Sequence, residues 1–391
     1  MTHVPLAPLA ATVAVQTLAT MSLYSLPAMA PAVAADLGVN GTLVGGFVAT
    51  GYGVGILSAL VSPGLIRRYG GVRATQAVLL AAACMLVIAA FAHGVTQLGI
   101  AAVVLGLGYG AAAPASTHLL VPHTPRSIFN FVMSLRQIGV PLGGVLAALI
   151  LPPLVLLIGW RGALAAEIAP VLLLIAAMEV PRRSWDLDRE RSRPALGRTL
   201  LQPFLLLADR RMRVLSMSCF MYSGLQLCFV AFMTVHLTTA AGFDLVRAGQ
   251  VLALYQIFGS LSRPVWGWVA DRYLTPSQML AVLGFVMAVA AALTGQFAPD
   301  WPSWAVPAVA ILAGCSGGGY TGVAYAEYAN LGGTRRTEAT GLGTALMFAG
   351  GMLVPPAFGA GVTLLGGYGA VYLIMAALTA AGGALLAWPR G

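Results

Sequence analysis

Two arginines lie inside apolar stretches of this sequence, where a fixed positive charge needs a physical reason. Arg136, followed by Gln137, stands in "NFVMSLRQIGVPLGGVLAAL" (130–149), and Arg263 stands in "GSLSRPVWGWVADR", eight residues before Asp271. Each would lie about 12 Å inside a membrane-spanning helix, where a charge costs about 2.5 to 3.5 kcal/mol on insertion scales. Because a guanidinium group binds carboxylates and other oxyanions through a planar fork of donors, the two arginines predict an anion site.

The composition indicates what must position these arginines. Of the 391 residues, 59% are hydrophobic and 8% are charged, which predicts an all-α membrane protein. Apolar runs long enough to cross a bilayer recur twelve times. Their expected spans are 9–33, 42–66, 74–93, 96–120, 128–150, 153–180, 212–240, 247–268, 278–297, 304–330, 338–362 and 368–388.

The positive charges are distributed unevenly over these twelve expected spans. All 21 basic residues are arginine, and placing both termini in the cytoplasm puts most of them, including Arg67, Arg68 and Arg272, on the cytoplasmic side. This distribution follows the positive-inside rule and predicts an inner (plasma) membrane protein with both termini cytoplasmic. The net charge of +9 therefore reports topology and does not indicate a nucleic-acid partner.

A polar stretch at 181–213 divides the chain. It predicts a cytoplasmic linker between a bundle of six helices at 1–180 and a second bundle of six helices at 214–391. The two halves resemble each other at a nearly constant offset: "SPGLIRRYGGVRATQAVLL" matches "RPVWGWVADRYLTPSQMLAVL". Repeated bundles of this kind are typical of secondary transporters, whose substrate site lies at midplane between the repeats.

One loop carries a family resemblance. "GWVADR" supplies Gly267, Asp271 and Arg272, and is similar to the signature loop of the major facilitator superfamily. "IRRYGGVR" resembles the first-half copy, but Arg67 stands where the family has an aspartate. The resemblance implies two six-helix bundles, alternating access and a gating role for these loops, which also include Arg68. Arg263 is similar in position to the substrate-binding arginine of the monocarboxylate and oxalate porters.

The resemblance also implies which helices surround a central cavity, namely the first, fourth, seventh and tenth spans. Each polar side chain on them could instead form an interhelical hydrogen bond. On the eighth span, Gln256, Ser260, Arg263 and Gly267 follow a helical stripe that we expect to line the cavity. The other candidate contacts are Gln16, Thr20, Tyr24, Tyr109, Gln137, Tyr222, Gln226, Tyr320 and Tyr325.

Other chemistries find little support in the sequence. The chain has no lysine for a phosphate-binding Walker loop, and its four cysteines lie in apolar runs without metal-ligand spacing, so we expect no enzyme activity, metal or cofactor. The buried acids Glu167, Glu179 and Glu327 do not identify a proton carrier. Glu167 lies on a span that the family uses as scaffold, and Glu327 lies close to Arg335 and Arg336.

These patterns favour a secondary active transporter of a small organic anion, with carboxylates as the favoured class. Protons are a candidate coupling ion, anion exchange is the other possibility, and we expect a monomer in the lipid bilayer. One alternative is an exporter of drugs or other amphipathic compounds, which predicts an aromatic cavity and a buried acid. A membrane sensor that transports nothing is a third reading.

Overall fold

The computed structural model describes residues 4–38, 43–186, 202–243, 245–302 and 304–387, and this part of the chain is helical throughout, without strands. The first half contains α1 (Leu6–Ala28), α2 (Ala30–Leu37), α3 (Leu43–Tyr69), α4 (Gly71–Ala90), α5 (Val95–Tyr109), α6 (Ala112–Leu120), α7 (Phe129–Arg136), α8 (Gly139–Ala177) and α9 (Arg182–Trp185). The second half contains α10 (Arg210–Ala240), α11 (Leu245–Arg272), α12 (Pro276–Thr294), α13 (Ala305–Ala313), α14 (Thr321–Gly332), α15 (Arg336–Leu365) and α16 (Tyr368–Ala387).

Twelve membrane-spanning helices result from these segments, as the sequence predicts. Seven spans are single helices, and the first (α1 and α2), the fourth (α5 and α6) and the tenth (α13 and α14) are interrupted. The fifth begins with α7 and continues into α8, which at 39 residues measures about 58 Å and is too long for one crossing. It bends at Gly159, whose φ of 73° suits glycine, and this bend separates the fifth span from the sixth.

The bend at Gly159 differs from the predicted boundary near residues 150–153. Pro152 and Pro153, at this predicted boundary, both lie inside α8. The first six spans share one apolar core, and most of a second core comes from the last six. The chain therefore folds into two six-helix bundles. Most of the predicted linker, residues 187–201, lies outside the described residues, so the linker and the domain limits stay predictions.

The two bundles meet at one end, which we call the arginine-rich end because Arg67, Arg126, Arg272 and Arg335 lie there. Contacts between bundles join α7 to α11 and α14, and α15 to α3 and α6. The charged loops thus converge on each other, and a cavity between the bundles lies beyond this contact.

Candidate functional site

A cavity of about 140 Å³ lies between the two bundles. Its walls combine aromatic rings, amide side chains and one arginine. The lining residues are Gln16, Tyr24, Tyr52, Tyr109, Ala112, Ala113, Gln137, Val140, Ser223, Gln226, Leu227, Arg263, Tyr320, Thr321, Tyr325, Thr344, Met347, Phe348 and Gly351. Among them are eight residues that the sequence predicts as contacts: Gln16, Tyr24, Tyr109, Gln137, Gln226, Arg263, Tyr320 and Tyr325.

Arg263 is the charged residue of this lining, and only 5% of its surface is exposed. Its Nε donates to the backbone oxygen of Gly318 at 2.9 Å, and its Nη1 donates to the backbone oxygen of Gln137. Within the described chain, Nη2 has no hydrogen-bond acceptor. The guanidinium group is thus held by one contact from each bundle, with one nitrogen left for a ligand in the cavity.

A π-helical turn, Gly314–Gly318, explains the position of Arg263. Wider turns of this kind release carbonyl groups from regular helical hydrogen bonding and are frequent at functional sites. Here the released carbonyls face α11: that of Gly318 accepts from Arg263, and that of Cys315 accepts from Trp266 Nε1 at 2.7 Å. The "GCSGG" sequence therefore serves as an acceptor surface for α11 as well as a close packing surface.

Arg136 lies one layer behind the cavity wall and is fully buried. Its Nη1 donates to Gln137 Oε1 and its Nη2 to Gln16 Oε1, each at 2.6 Å. The guanidinium carbon lies 5.8 Å from the centre of the Tyr325 ring, and Nε has no partner in the described chain. Neutral groups therefore hold this charge, and it is connected to the cavity through Gln16, Gln137 and the ring of Tyr325.

A chain of hydrogen bonds continues from Arg136 along α1. Gln16 Nε2 donates to Thr20 Oγ1 at 3.1 Å, and Thr20 Oγ1 lies 3.2 Å from the hydroxyl of Tyr109. Gln16, Thr20 and Tyr24 are spaced four residues apart and share the face of α1 that points to the cavity. The buried charge is thus connected to the phenol groups of the lining.

Three aromatic rings close the cavity between the second, fourth and eleventh spans. The ring of Phe348 lies 4.9 Å from Tyr52, edge to face, and 5.8 Å from Tyr109, stacked. Tyr52 and Phe348 were not predicted as lining residues, because the family resemblance implies a cavity surrounded by spans 1, 4, 7 and 10. A usable signal existed, since Tyr52 stands between two glycines in "GYG".

Two further expected contacts lie away from the cavity. Tyr222 is buried inside the second bundle, where its hydroxyl donates to the backbone oxygen of Leu280 at 3.3 Å and its ring meets Tyr320 edge-on. Gln256 is exposed on α11. It lies about 10 Å farther from the arginine-rich end than Arg263.

The acids of the described chain stand apart from the cavity. Glu167 lies between α8 and α1 beside Ser22 and Ser25, and Glu327 accepts from Ser277 Oγ at 2.5 Å. Glu179, beyond the end of α8, pairs with Arg182, which together with Gln76 holds the pKa of that carboxyl below its usual range. No carboxylate among the described residues therefore neutralises Arg136 or Arg263.

Asp271 joins the bundles at the arginine-rich end. Its carboxylate accepts from the backbone nitrogens of Asn130 (3.0 Å) and Phe131 (2.8 Å) and from Asn130 Nδ2 (2.8 Å). These groups begin α7, where unpaired amides and the helix dipole favour a negative charge. Gly267, one turn earlier, packs so closely that a Cβ there would lie 2.6 Å from the Asn130 oxygen.

Arg67 makes the corresponding contact in the first half. Its Nη2 lies 2.7 Å from Glu338 Oε2, in the first turn of α15, and both side chains are 13% exposed. The departure from the signature loop is therefore matched by an acid on the partner helix. Arg68 lies over the ring of Tyr69, and Arg272 is exposed at the end of α11.

This arrangement defines a class of protein: two bundles of membrane-spanning helices, closed at one end around a cavity that carries unneutralised positive charge. A sequence model of the Major Facilitator Superfamily matches residues 12–355. The chain belongs to that superfamily and is an integral membrane protein.

The chain is similar to several transporters. It is 25% identical to the 4-hydroxybenzoate transporter PcaK of Pseudomonas aeruginosa, over 68% of this chain and 66% of that protein, just under two thirds of its length. It is 27% identical to the probable nitrate/nitrite transporter NarK2 of Mycobacterium tuberculosis, over 74% of this chain and 72% of that one. The crystal structure of the human organic anion transporter MFSD10 has the same fold, with a TM-score of 0.75, 15% identity, and coverage of 98% and 100%.

Proposed function

We propose that this protein is a secondary transporter of a small organic anion, a carboxylate in particular, that works by alternating access. The observation that carries the proposal is the free Nη2 of Arg263 in a cavity whose lining contains no carboxylate. A buried guanidinium group without an acid is costly, and an anion in the cavity would supply the missing charge.

The size and surface of the cavity favour an anion with one ring. A volume of about 140 Å³ is close to that of an engineered cavity of ~150 Å³ that binds benzene. The rings of Tyr52, Tyr109 and Phe348 offer edges and faces to a planar group, while Arg263 would bind its carboxylate. The similarity to 4-hydroxybenzoate transporters supports the same class of substrate.

Closure of the arginine-rich end supports a cavity that opens away from the cytoplasm. With that end in the cytoplasm of an inner-membrane protein, as the arginine distribution predicts, the conformation described here is closed to the cytoplasm. An exporter of cationic amphipathic compounds remains the second candidate. The aromatic lining favours it, but it would need an acid in the cavity, where the described lining has an arginine.

Transport in proteoliposomes tests the proposal. We expect the wild-type protein to exchange labelled benzoate, 4-hydroxybenzoate or nitrate across the membrane and to ignore tetraphenylphosphonium, a cation. Arg263→Gln should weaken anion binding about 10- to 150-fold, the loss of about 1.5 to 3 kcal/mol for a charged hydrogen bond. Arg247→Gln, an exposed arginine of the same helix, is the matched control and should transport normally. Uptake of the cation alone, or unaltered anion transport by Arg263→Gln, would exclude the proposed site.

A further inference from the structure

Glu167 is a buried carboxyl group that the anion site does not use. Only 3% of its surface is exposed, and it lies on the second part of α8, facing α1. Its Oε1 accepts from Ser22 Oγ at 2.9 Å, and its Oε2 lies 2.5 Å from Ser25 Oγ. Burying an ionised carboxylate in a bilayer core is expensive, so its charge state needs an explanation.

The hydrogen bonds of the Ser25 hydroxyl group bear on the charge state of Glu167. Ser25 Oγ also lies 2.8 Å from the backbone oxygen of Met21, which can only accept. Because a hydroxyl group has one hydrogen, Ser25 cannot donate fully to both Met21 and Glu167. The carboxyl group is thus buried with at most two hydroxyl donors and no cation, which favours its neutral form.

No charged group faces this acid from the helices packed on α8. Tyr24 of α1 points to the cavity, and Asp36 of α2 pairs at 2.7 Å with Arg161, the other charged residue of α8. On α4, Arg73 pairs with Glu179 at 3.0 Å, and Cys84 is exposed. Within the described chain, the two serines are the polar side chains that bind Glu167, and neither carries a charge.

Helix α1 connects this acid to the anion site. Ser22 and Ser25 lie on one face of α1, towards α8, and Gln16, Thr20 and Tyr24 lie on the cavity face. Pro27, just beyond Ser25, has no N–H to donate within α1, and the helix breaks at Met29. Ionised Glu167 would draw the Ser25 hydroxyl hydrogen away from the Met21 oxygen, close to the point where α1 is interrupted.

We infer that Glu167 is the proton-binding residue that couples this transporter to a proton gradient, with α1 as the element that links it to the anion cavity. This inference rests on the proposed function. A carboxylate anion and one proton would move together: the proton leaves the Glu167 carboxyl on the side where the anion is released, and the next proton binds from the opposite side. Net charge transfer in this cycle is zero for a monoanion.

Infrared spectroscopy tests the proton site without a substrate. In an ester-free detergent near pH 6, where ordinary carboxyl groups are ionised, the wild-type protein should show the carbonyl stretching band of a protonated carboxylic acid. Glu167→Gln should remove this band. Ser25→Ala should shift it, because the acid loses a hydrogen-bond partner, and Glu179→Gln, an exposed acid near the same helix, should leave it unchanged. A wild-type spectrum without the band, or a band that persists in Glu167→Gln, would overturn the inference.

Transport of 4-hydroxybenzoate tests the coupling. One unit of pH gradient is worth 1.36 kcal/mol, so symport with one proton should concentrate the anion about tenfold in wild-type vesicles. Glu167→Gln should exchange the anion across the membrane but lose this accumulation, and Glu179→Gln should keep both. Accumulation by Glu167→Gln, or wild-type exchange that ignores the gradient, overturns the coupling and leaves the proposed function standing. An infrared band at Glu167 without movement of any anion contradicts the proposed function instead.

Discussion

Arg136 and Arg263 come from opposite bundles and both donate to the same residue, Gln137. Arg136 binds its side-chain oxygen at 2.6 Å, and Arg263 binds its backbone oxygen. Only Arg263 lines the cavity. Gln137 lies where α7 ends and α8 has not begun, so a break in the fifth span carries the contact between the two charges.

A negative charge at position 137 should therefore take the place of the negative charge that a bound anion brings. We expect Gln137→Glu to pair with Arg136 and Arg263, to raise the thermal stability of the purified protein, and to lower anion uptake about tenfold, since 1.4 kcal/mol corresponds to a factor of ten. Thermal unfolding and proteoliposome uptake measure the two effects. Gln226→Glu, on the facing wall, should not raise stability. Equal stabilisation by both variants would contradict the pairing.

Exchanging the charges of Arg67 and Glu338 tests the contact at the arginine-rich end. Either Arg67→Glu or Glu338→Arg alone should place like charges 2.7 Å apart and separate α3 from α15. The double variant should recover about 1.5 to 3 kcal/mol of coupling energy in a thermodynamic cycle. Arg68→Gln, from the same turn, serves as the control. Additive losses in the double variant would show that the pair contributes nothing.

Gly267 is expected to tolerate no side chain while the arginine-rich end is closed. A Cβ there would lie 2.6 Å from both the Asn130 oxygen and Ser134 Oγ, at a cost of about 1 to 3 kcal/mol for overpacking. Gly267→Ala should therefore increase amide hydrogen exchange in α7. At Gly249 of the same helix a Cβ meets nothing within 4 Å, so Gly249→Ala should leave exchange in α7 unaltered.

Phe348 is expected to limit the size of the ligand. Phe348→Ala removes the ring that contacts Tyr52 and Tyr109, which enlarges the cavity and should admit naphthoate while weakening benzoate binding. Competition of each compound against labelled benzoate measures the change. Phe232 has a ring contact of the same length, 4.9 Å to Phe358, but does not line the cavity, so Phe232→Ala should keep the original preference.

The sequence predicts the fold well because lipid imposes long apolar runs. It predicts Arg263 as a cavity contact because a charge stands out in such a run. It cannot predict that Arg136 lies behind the wall, since this depends on Gln16, 120 positions away, and on the break after α7. The same limit applies to Tyr222 and its neighbour Ser223: helical geometry places them one step apart, and packing against α12 decides which one reaches the cavity.

The π-helical turn at Gly314–Gly318 makes the aim of Arg263 depend on the backbone of another helix. If this turn tightened into regular α-helix, its carbonyls would return to hydrogen bonds within their own helix. Trp266 would lose its acceptor, and Arg263 would keep only Gln137. The cation would then swing away from the path of the anion. A change of one residue per turn in the tenth span would thereby re-aim Arg263 without any movement of α11 itself.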